Sequence, residues 1–144
     1  MKKFIFLIVI AVLAYGFLQE HGTSIPGTHR SDTIANSVPQ NAYNNRRSDL
    51  QMEGRGIVTK VLGDDLHGSR HQRFILKLDD GRTLLIAHNI DLAPRINGLK
   101  LGDIVDFHGE YKWNSKGGVI HWTHHDPSHR HVAGWLKHDG RTYQ

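Results

Sequence analysis

A small all-β barrel, with five strands in the order of an OB-fold, is the architecture this sequence predicts. Two runs alternate between apolar and polar residues. In His71 to Leu78, Phe74, Leu76 and Leu78 share the inward phase while His71, Arg73, Ile75 and Lys77 share the outward one; in Ile104 to Trp113, Val105, Phe107, Tyr111 and Trp113 share the inner phase with Gly109. Asp80-Gly81, between two such runs, is a hairpin signal that calls for positive φ at both turn positions. The short strands follow one another as a meander with a small insertion between the third and fourth, and no run after residue 20 supports a long helix. A generic five- or six-stranded barrel or an SH3-like roll is the alternative.

Taken in order, Ile57 to Leu62 is the first strand and Gly63 to Ser69 a polar loop. His71 to Leu78 and Thr83 to Asn89 are the second and third strands. The third is apolar on both faces, Leu84 and Ile86 against Leu85 and Ala87, which predicts cover on each side. Asn89 to Arg95, interrupted by Pro94, reads as a single helical turn or an ordered loop where an OB-fold carries its helix. In strand four, Gly109 predicts a bulge or sharp bend of the kind barrel closure needs. Asn114 to Gly118 is a hairpin loop into strand five, Gly-Gly-Val-Ile-His-Trp-Thr-His-His-Asp-Pro over 117–127. Alternation puts Val119, His121 and Thr123 on one face and Ile120, Trp122 and His124 on the other, and the period is lost beyond His124. His125, Asp126, His129 and His131 therefore belong to a loop at the strand's exit. The tail, Ala133 to His138 and Arg141 to Tyr143 around Asp139-Gly140, predicts a small extra hairpin.

The chain has 144 residues and no cysteine, which excludes disulfides, thiolate metal sites and a cysteine nucleophile. Its formal charge is +4, and setting aside Lys2 and Lys3 leaves 16 basic against 14 acidic side chains. That balance supplies no basic field of the kind that dominates nucleic-acid affinity, although 12 histidines would add charge in an acidic compartment. Residues 1–18, Lys2-Lys3 followed by an apolar run from Phe4 to Leu18, read as a targeting segment. Ala14-Tyr15-Gly16 has the pattern of a cleavage site, while Phe17 and Leu18 continue the apolar run past it. A cleaved signal and a short membrane anchor are both open, and either places the barrel in the periplasm or at the inner membrane facing it. Residues 19–53 are polar, without apolar period, and read as a disordered linker; the barrel domain with its tail is assigned to 54–144.

Four motifs, Arg-His-Gln-Arg-Phe at 70–74, His-Asn-Ile-Asp-Leu-Ala-Pro-Arg at 88–95, Tyr-Lys-Trp-Asn at 111–114 and the 117–127 run, resemble those of a family of short, exported bacterial proteins known only as a domain of unknown function. The resemblance covers Gly54 to Gln144. It implies export, small size and a bacterial source, and no activity. In general organisation the domain also looks like the bacterial periplasmic OB-fold proteins, a likeness of fold that licenses no function.

OB topology sets strand five between strands three and four, bringing His121 and His124 towards His88, His108 and Glu110. Imidazoles and carboxylates in such a group suit zinc or another divalent transition metal, and the predicted ligands are His88, His121, His124, His125 and Asp126. Opposite strand parity keeps His121 and His124 from one ion unless the strand ends or bulges between them. His67, His71 and His138 are read as surface or packing histidines. A binding module would use Arg73, Arg95, Trp122 and Trp135 against a glycan, peptide or other envelope polymer; nucleic acid is disfavoured by charge, and a membrane contact follows if the N-terminal segment is uncleaved. The alternative is a metal-dependent phosphodiesterase or nuclease with His88 or His124 as general base oriented by Asp126. No nucleophile elbow, phosphate-binding glycine loop or zinc-protease motif supports it, and the catalytic residues are left unassigned.

Overall fold

The computed structural model describes residues 40–144. The targeting segment and most of the predicted linker lie outside them. Seven strands follow in chain order: β1 (Leu50–Val61), β2 (His71–Lys77), β3 (Thr83–Asn89), β4 (Ile104–Lys112), β5 (Val119–His121), β6 (Trp135–His138) and β7 (Arg141–Tyr143). They form one sheet in the order β1-β2-β3-β5-β4-β6-β7, and a further β1–β4 pairing closes the first five into a barrel. Among the described residues no helix is long and apolar enough to cross a membrane.

β1 makes the closure possible because it serves two neighbours. Leu50 to Ile57 pair with Tyr111 to Ile104 of β4, and Ile57 to Val61 pair with Lys77 to Phe74 of β2, with a register shift between Val58 and Lys60. The strand therefore begins at Leu50, not after a linker ending at residue 53. Before it, residues 40–44 form a helical turn that buries Ala42, and the Ser48 hydroxyl accepts from the Trp113 amide at 3.0 Å. The start of β1 is hard to read because two of its inward positions are Gly54 and Gly56, which show no apolar side chain. Their bareness is a packing requirement. A Cβ on Gly54 would stand 2.6 Å from the Phe107 ring, and one on Gly56 2.9 Å from the Leu76 Cβ.

Phe74 and Leu76 of β2, Ile86 of β3, Val105, Phe107 and Tyr111 of β4 and Ile120 of β5 are all fully buried, so the predicted inward phases are the core. The outer face of β3 departs from expectation: Leu85 and Ala87 are half-buried, not covered like the inner face. The β3–β4 connection is the predicted single turn, with the Ala93 amide donating to the Asn89 carbonyl at 3.1 Å. It plugs one end of the barrel through Ile96, whose backbone amide and carbonyl each pair at 2.9 Å with the buried side-chain amide of Gln72. That clamp uses a polar residue in an inward position, satisfied on both sides as burial demands.

Two Asp-Gly pairs take different turns. Asp139 (φ 47°) and Gly140 (φ 74°) form the two-residue turn of the β6–β7 hairpin, as the sequence predicts for that dipeptide. At Asp80-Gly81 only Gly81 has positive φ, 85°. Its amide donates to the Leu78 carbonyl, and Leu78 donates to the Arg82 carbonyl across a three-residue loop, so the left-handed position is the third of three.

Gly109 marks no bulge. The β1–β4 register runs through it without a shift, Met52 opposite Gly109. On the other edge of β4, however, β5 pairs with Glu110 to Lys112 and β6 with Val105 to His108. Gly109 is the residue between the two partners, and a Cβ there would meet the His121 carbonyl at 2.5 Å. Gly109→Ala is therefore expected to cost about 1–3 kcal/mol as overpacking against backbone. Gly63→Ala, where a Cβ meets nothing within 4 Å, is the control and should be near neutral. Denaturant midpoints of the two variants check this, and equal midpoints would remove the steric explanation.

Candidate functional site at the exit of strand five

β5 is three residues long because the chain turns out of the sheet at Trp122, whose φ is 54°. This reversal cancels the parity that would have separated His121 from His124. Thr123 turns inward and is fully buried, and His124 is 3% exposed. The chain then runs through a loop, 122–134, before re-entering the sheet as β6.

One carboxylate organises that loop. Asp126 accepts from the Ser128 hydroxyl at 2.7 and 2.9 Å, from the Ser128 amide at 2.9 Å, and from the amides of Arg130 at 2.7 Å and His131 at 2.9 Å. The Ser128 hydrogen bonds first, then those amides, hold its pKa well below the usual carboxylate range. The Asp126 oxygens are thus engaged in folding the loop. At the far end, Gly134 donates to the His124 carbonyl at 2.9 Å, and its missing Cβ makes room for the Trp122 and His108 carbonyls.

His131 is delivered by this loop onto the barrel. Its ring stacks on Trp122 with centroids 4.0 Å apart and an interplanar angle of 11°. Nδ1 lies 2.8 Å from the Val132 carbonyl and Nε2 2.6 Å from Glu110 Oε2. A carbonyl and an ionised carboxylate both require a donor, so this geometry calls for the imidazolium. Partial burial opposes that charge, but the Glu110 hydrogen bond, the Val132 carbonyl and the charges of Glu110 and Asp126 outweigh it and raise the His131 pKa. Glu110 also has His121 Nε2 3.2 Å from its other oxygen, off the hydrogen-bond line, so that nitrogen is buried without a hydrogen bond.

His88 has the opposite environment. It is fully buried on β3, with Nε2 donating to the Pro94 carbonyl at 3.1 Å and Nδ1 accepting from the Thr123 hydroxyl at 2.7 Å. Burial pushes its pKa down to about 4. Both ring nitrogens are in use, and the ring ties strand three to the exit of strand five.

A cleft of about 310 Å³ opens beside these residues, lined by Ser69, His71, Asn89, Leu92, His121, Trp122 and His124. Of the predicted metal ligands, only His121 and His124 reach it. His88 lies in the interior, His125 is exposed and contributes its carbonyl to His124 Nδ1 at 2.7 Å, and Asp126 is held in its loop. His88 presents no free ring nitrogen for the general-base role, and the Asp126 oxygens that were to orient the base are engaged within their own loop. Among the predicted binding residues, Trp122 lines the cleft, whereas Arg73 sits on the outer face of β2 with Nε donating to the Gly63 carbonyl at 3.0 Å. Arg95 is paired with Asp64 through two bonds, at 2.8 and 3.2 Å, and Trp135 stands apart on β6 against His108. His138 packs as predicted, its Nε2 2.8 Å from Asp103. His71, read from the sequence as a surface or packing histidine, lines the cleft. It occupies an ordinary outward position of β2, and only the β2–β3–β5 order brings it to the cleft.

The two histidines set a pH window. His88 binds a proton more weakly folded than unfolded, so its contribution is full above the ordinary value of 6.5 and is lost as pH falls from there towards about 4, a cost of order 3 kcal/mol. His131 has a raised folded pKa, so its contribution is full below 6.5 and is lost as pH rises through the raised value. Denaturant midpoints measured against pH should fall on both sides. His88→Gln should flatten the limb between pH 6.5 and 4, and His131→Gln the alkaline one; an acid limb unchanged in His88→Gln would refute the assignment.

No curated protein matches the chain in sequence. A family model does, over residues 24–144, and its description is a protein of unknown function, DUF3465. The small closed barrel with a loop leaving strand five is thus the domain of this family, and the chain belongs to it.

Proposed function

We propose that the barrel is a binding module of the bacterial envelope, exported or membrane-anchored through residues 1–18, that holds an extended peptide segment on the outer face of β2, β3 and β5. The observation that carries this reading is a continuous half-buried aliphatic strip on that face. Ile75 stands opposite Leu85, Leu85 opposite Val119, and Ala87 lies one row along. Arg73, Lys60 and Lys77 border the strip, which suits a ligand carrying apolar and acidic side chains. The cleft at its end supplies a polar terminus with Trp122 and two histidines.

Glycans and single-stranded nucleic acids are read through open aromatic faces. Here each tryptophan ring has two neighbours against it. Trp122 has His131 and His124, Trp135 has His108 and Lys137, and Trp113 has Tyr43 and Arg46. Aliphatic contact is what the outer face offers instead. The catalytic alternative gains no support from the positions of His88 and Asp126, which are spent on packing and loop structure.

A panel of acidic-apolar peptides, envelope glycans and single-stranded oligonucleotides, assayed by fluorescence polarisation, tests the proposal. Peptide binding that Leu85→Asp abolishes and Trp135→Ala leaves intact is the expected outcome. Binding confined to glycan or oligonucleotide, or peptide binding indifferent to Leu85→Asp, would overturn it.

A further inference from the structure

We propose that Asn97 is a covalent modification site, at which the Gly98 backbone nitrogen attacks the Asn97 side-chain amide, Arg95 stabilises the charge that develops, and the folded chain is left with aspartate or isoaspartate. Asn97 is the one asparagine in the chain followed by glycine. Both residues are exposed and form the tip of a turn in the β3–β4 connection. The Ile96 carbonyl, which in a closed turn would accept from the Leu99 amide, accepts instead from Gln72 Nε2 at 2.9 Å. The turn is therefore open, and among the described residues the Gly98 amide has no acceptor. Gly98 adds no steric shield either: its φ is 80°, and the space where a Cβ would stand is empty to 4 Å.

Positive charge stands where the reaction needs it. Arg95 is held by Asp64 through Nε and Nη2, and its Nη1 donates to Asn97 Oδ1 at 3.3 Å. When the Gly98 nitrogen gives its proton to hydroxide and bonds to Asn97 Cγ, the developing negative charge falls on Oδ1, beside that guanidinium. The Cγ–Nδ2 bond then breaks, Nδ2 takes a proton from water and leaves as ammonia, and a five-membered succinimide remains. Water opens the ring at either carbonyl. One opening gives aspartate; the other gives isoaspartate, whose main chain runs through the former side chain. The other asparagines of the barrel lack this arrangement. At Asn89 the following amide, that of Ile90, donates to the Arg70 carbonyl at 2.9 Å, and Asn89 Oδ1 accepts from the Asp91 amide at 2.9 Å. Asn114 Oδ1 is held by the amides of Lys116 and Gly118, at 2.9 and 3.0 Å.

The products reach the core. Each sets a carboxylate beside Arg95 in competition with Asp64, and isoaspartate lengthens the main chain directly after Ile96, the buried plug that Gln72 clamps on both sides. The full-length native chain is held at neutral and at mildly alkaline pH, sampled over days, and mapped by proteolysis, mass spectrometry and labelling with an isoaspartyl methyltransferase. Conversion of amide to acid at Asn97 should run several-fold ahead of Asn89 and Asn114, a comparison made within one folded protein. It should quicken at the higher pH, slow several-fold in Arg95→Gln and vanish in Asn97→Gln, whose side chain would have to close a larger ring. The isoaspartyl fraction should unfold at a lower denaturant midpoint than fresh chain. Conversion at Asn97 no faster than at Asn89 or Asn114, conversion only after denaturation, or an unslowed rate in an Arg95→Gln variant of native circular dichroism would overturn the proposal.

Discussion

One edge of β4 has to serve two strands, and the rest of the molecule is arranged around that constraint. Glu110 to Lys112 hold β5, Val105 to His108 hold β6, and Gly109 is the gap through which the chain passes from one to the other. The thirteen-residue excursion 122–134 exists because the same edge is left and rejoined. Backbone approaches backbone at the crossing, with Gly109 under the His121 carbonyl and Gly134 against those of Trp122 and His108. Any side chain there would push the two strands off the edge.

The excursion would be a costly floppy segment if nothing pinned it. Asp126 does so from inside, by gathering the amides two, four and five residues ahead, and His131 does so from outside, by stacking on Trp122 and pairing with Glu110. Both devices are polar, and both are satisfied. The buried His88–Thr123 hydrogen bond fastens the same exit to β3. Three histidines in this region thus perform three physical tasks: His88 is sealed inside the core where burial disfavours its charge, His131 sits on the rim where Glu110 and the Val132 carbonyl favour its charge, and His124 has its Nδ1 tied to the His125 carbonyl. Residue type alone does not distinguish them; the acceptors around each ring do.

Much of the barrel was legible in the chain. Inward and outward phases of β2 and β4, the turn after β3 and the terminal hairpin all follow from local period and turn chemistry, which act over a few residues. The start of β1 was hidden because glycine occupies inward positions, and a bare position carries no hydropathy. Gly109 was recognisable as special, but the reason lies in a strand that arrives from elsewhere in the chain. The candidate site was read only in outline. His121, His124 and Trp122 were found through their concentration in one motif, while Asp126, an obvious carboxylate beside them, proved to be spent on its own loop.

By itself, the sequence determined the class of fold, the strand phases and the run in which the unusual residues gather, because each of these depends on alternation and turn preferences within single segments. The tertiary structure alone decided that Trp122 leaves the sheet, that His88 is neutral and sealed in, and that His71 faces the cleft with His121 and His124. Those outcomes depend on strand order and on which carbonyl, hydroxyl or carboxylate stands beside each ring. Such partners are separated by up to dozens of residues, as His88 and Thr123 are by 35. Closure of the barrel, not local pattern, brings them within reach.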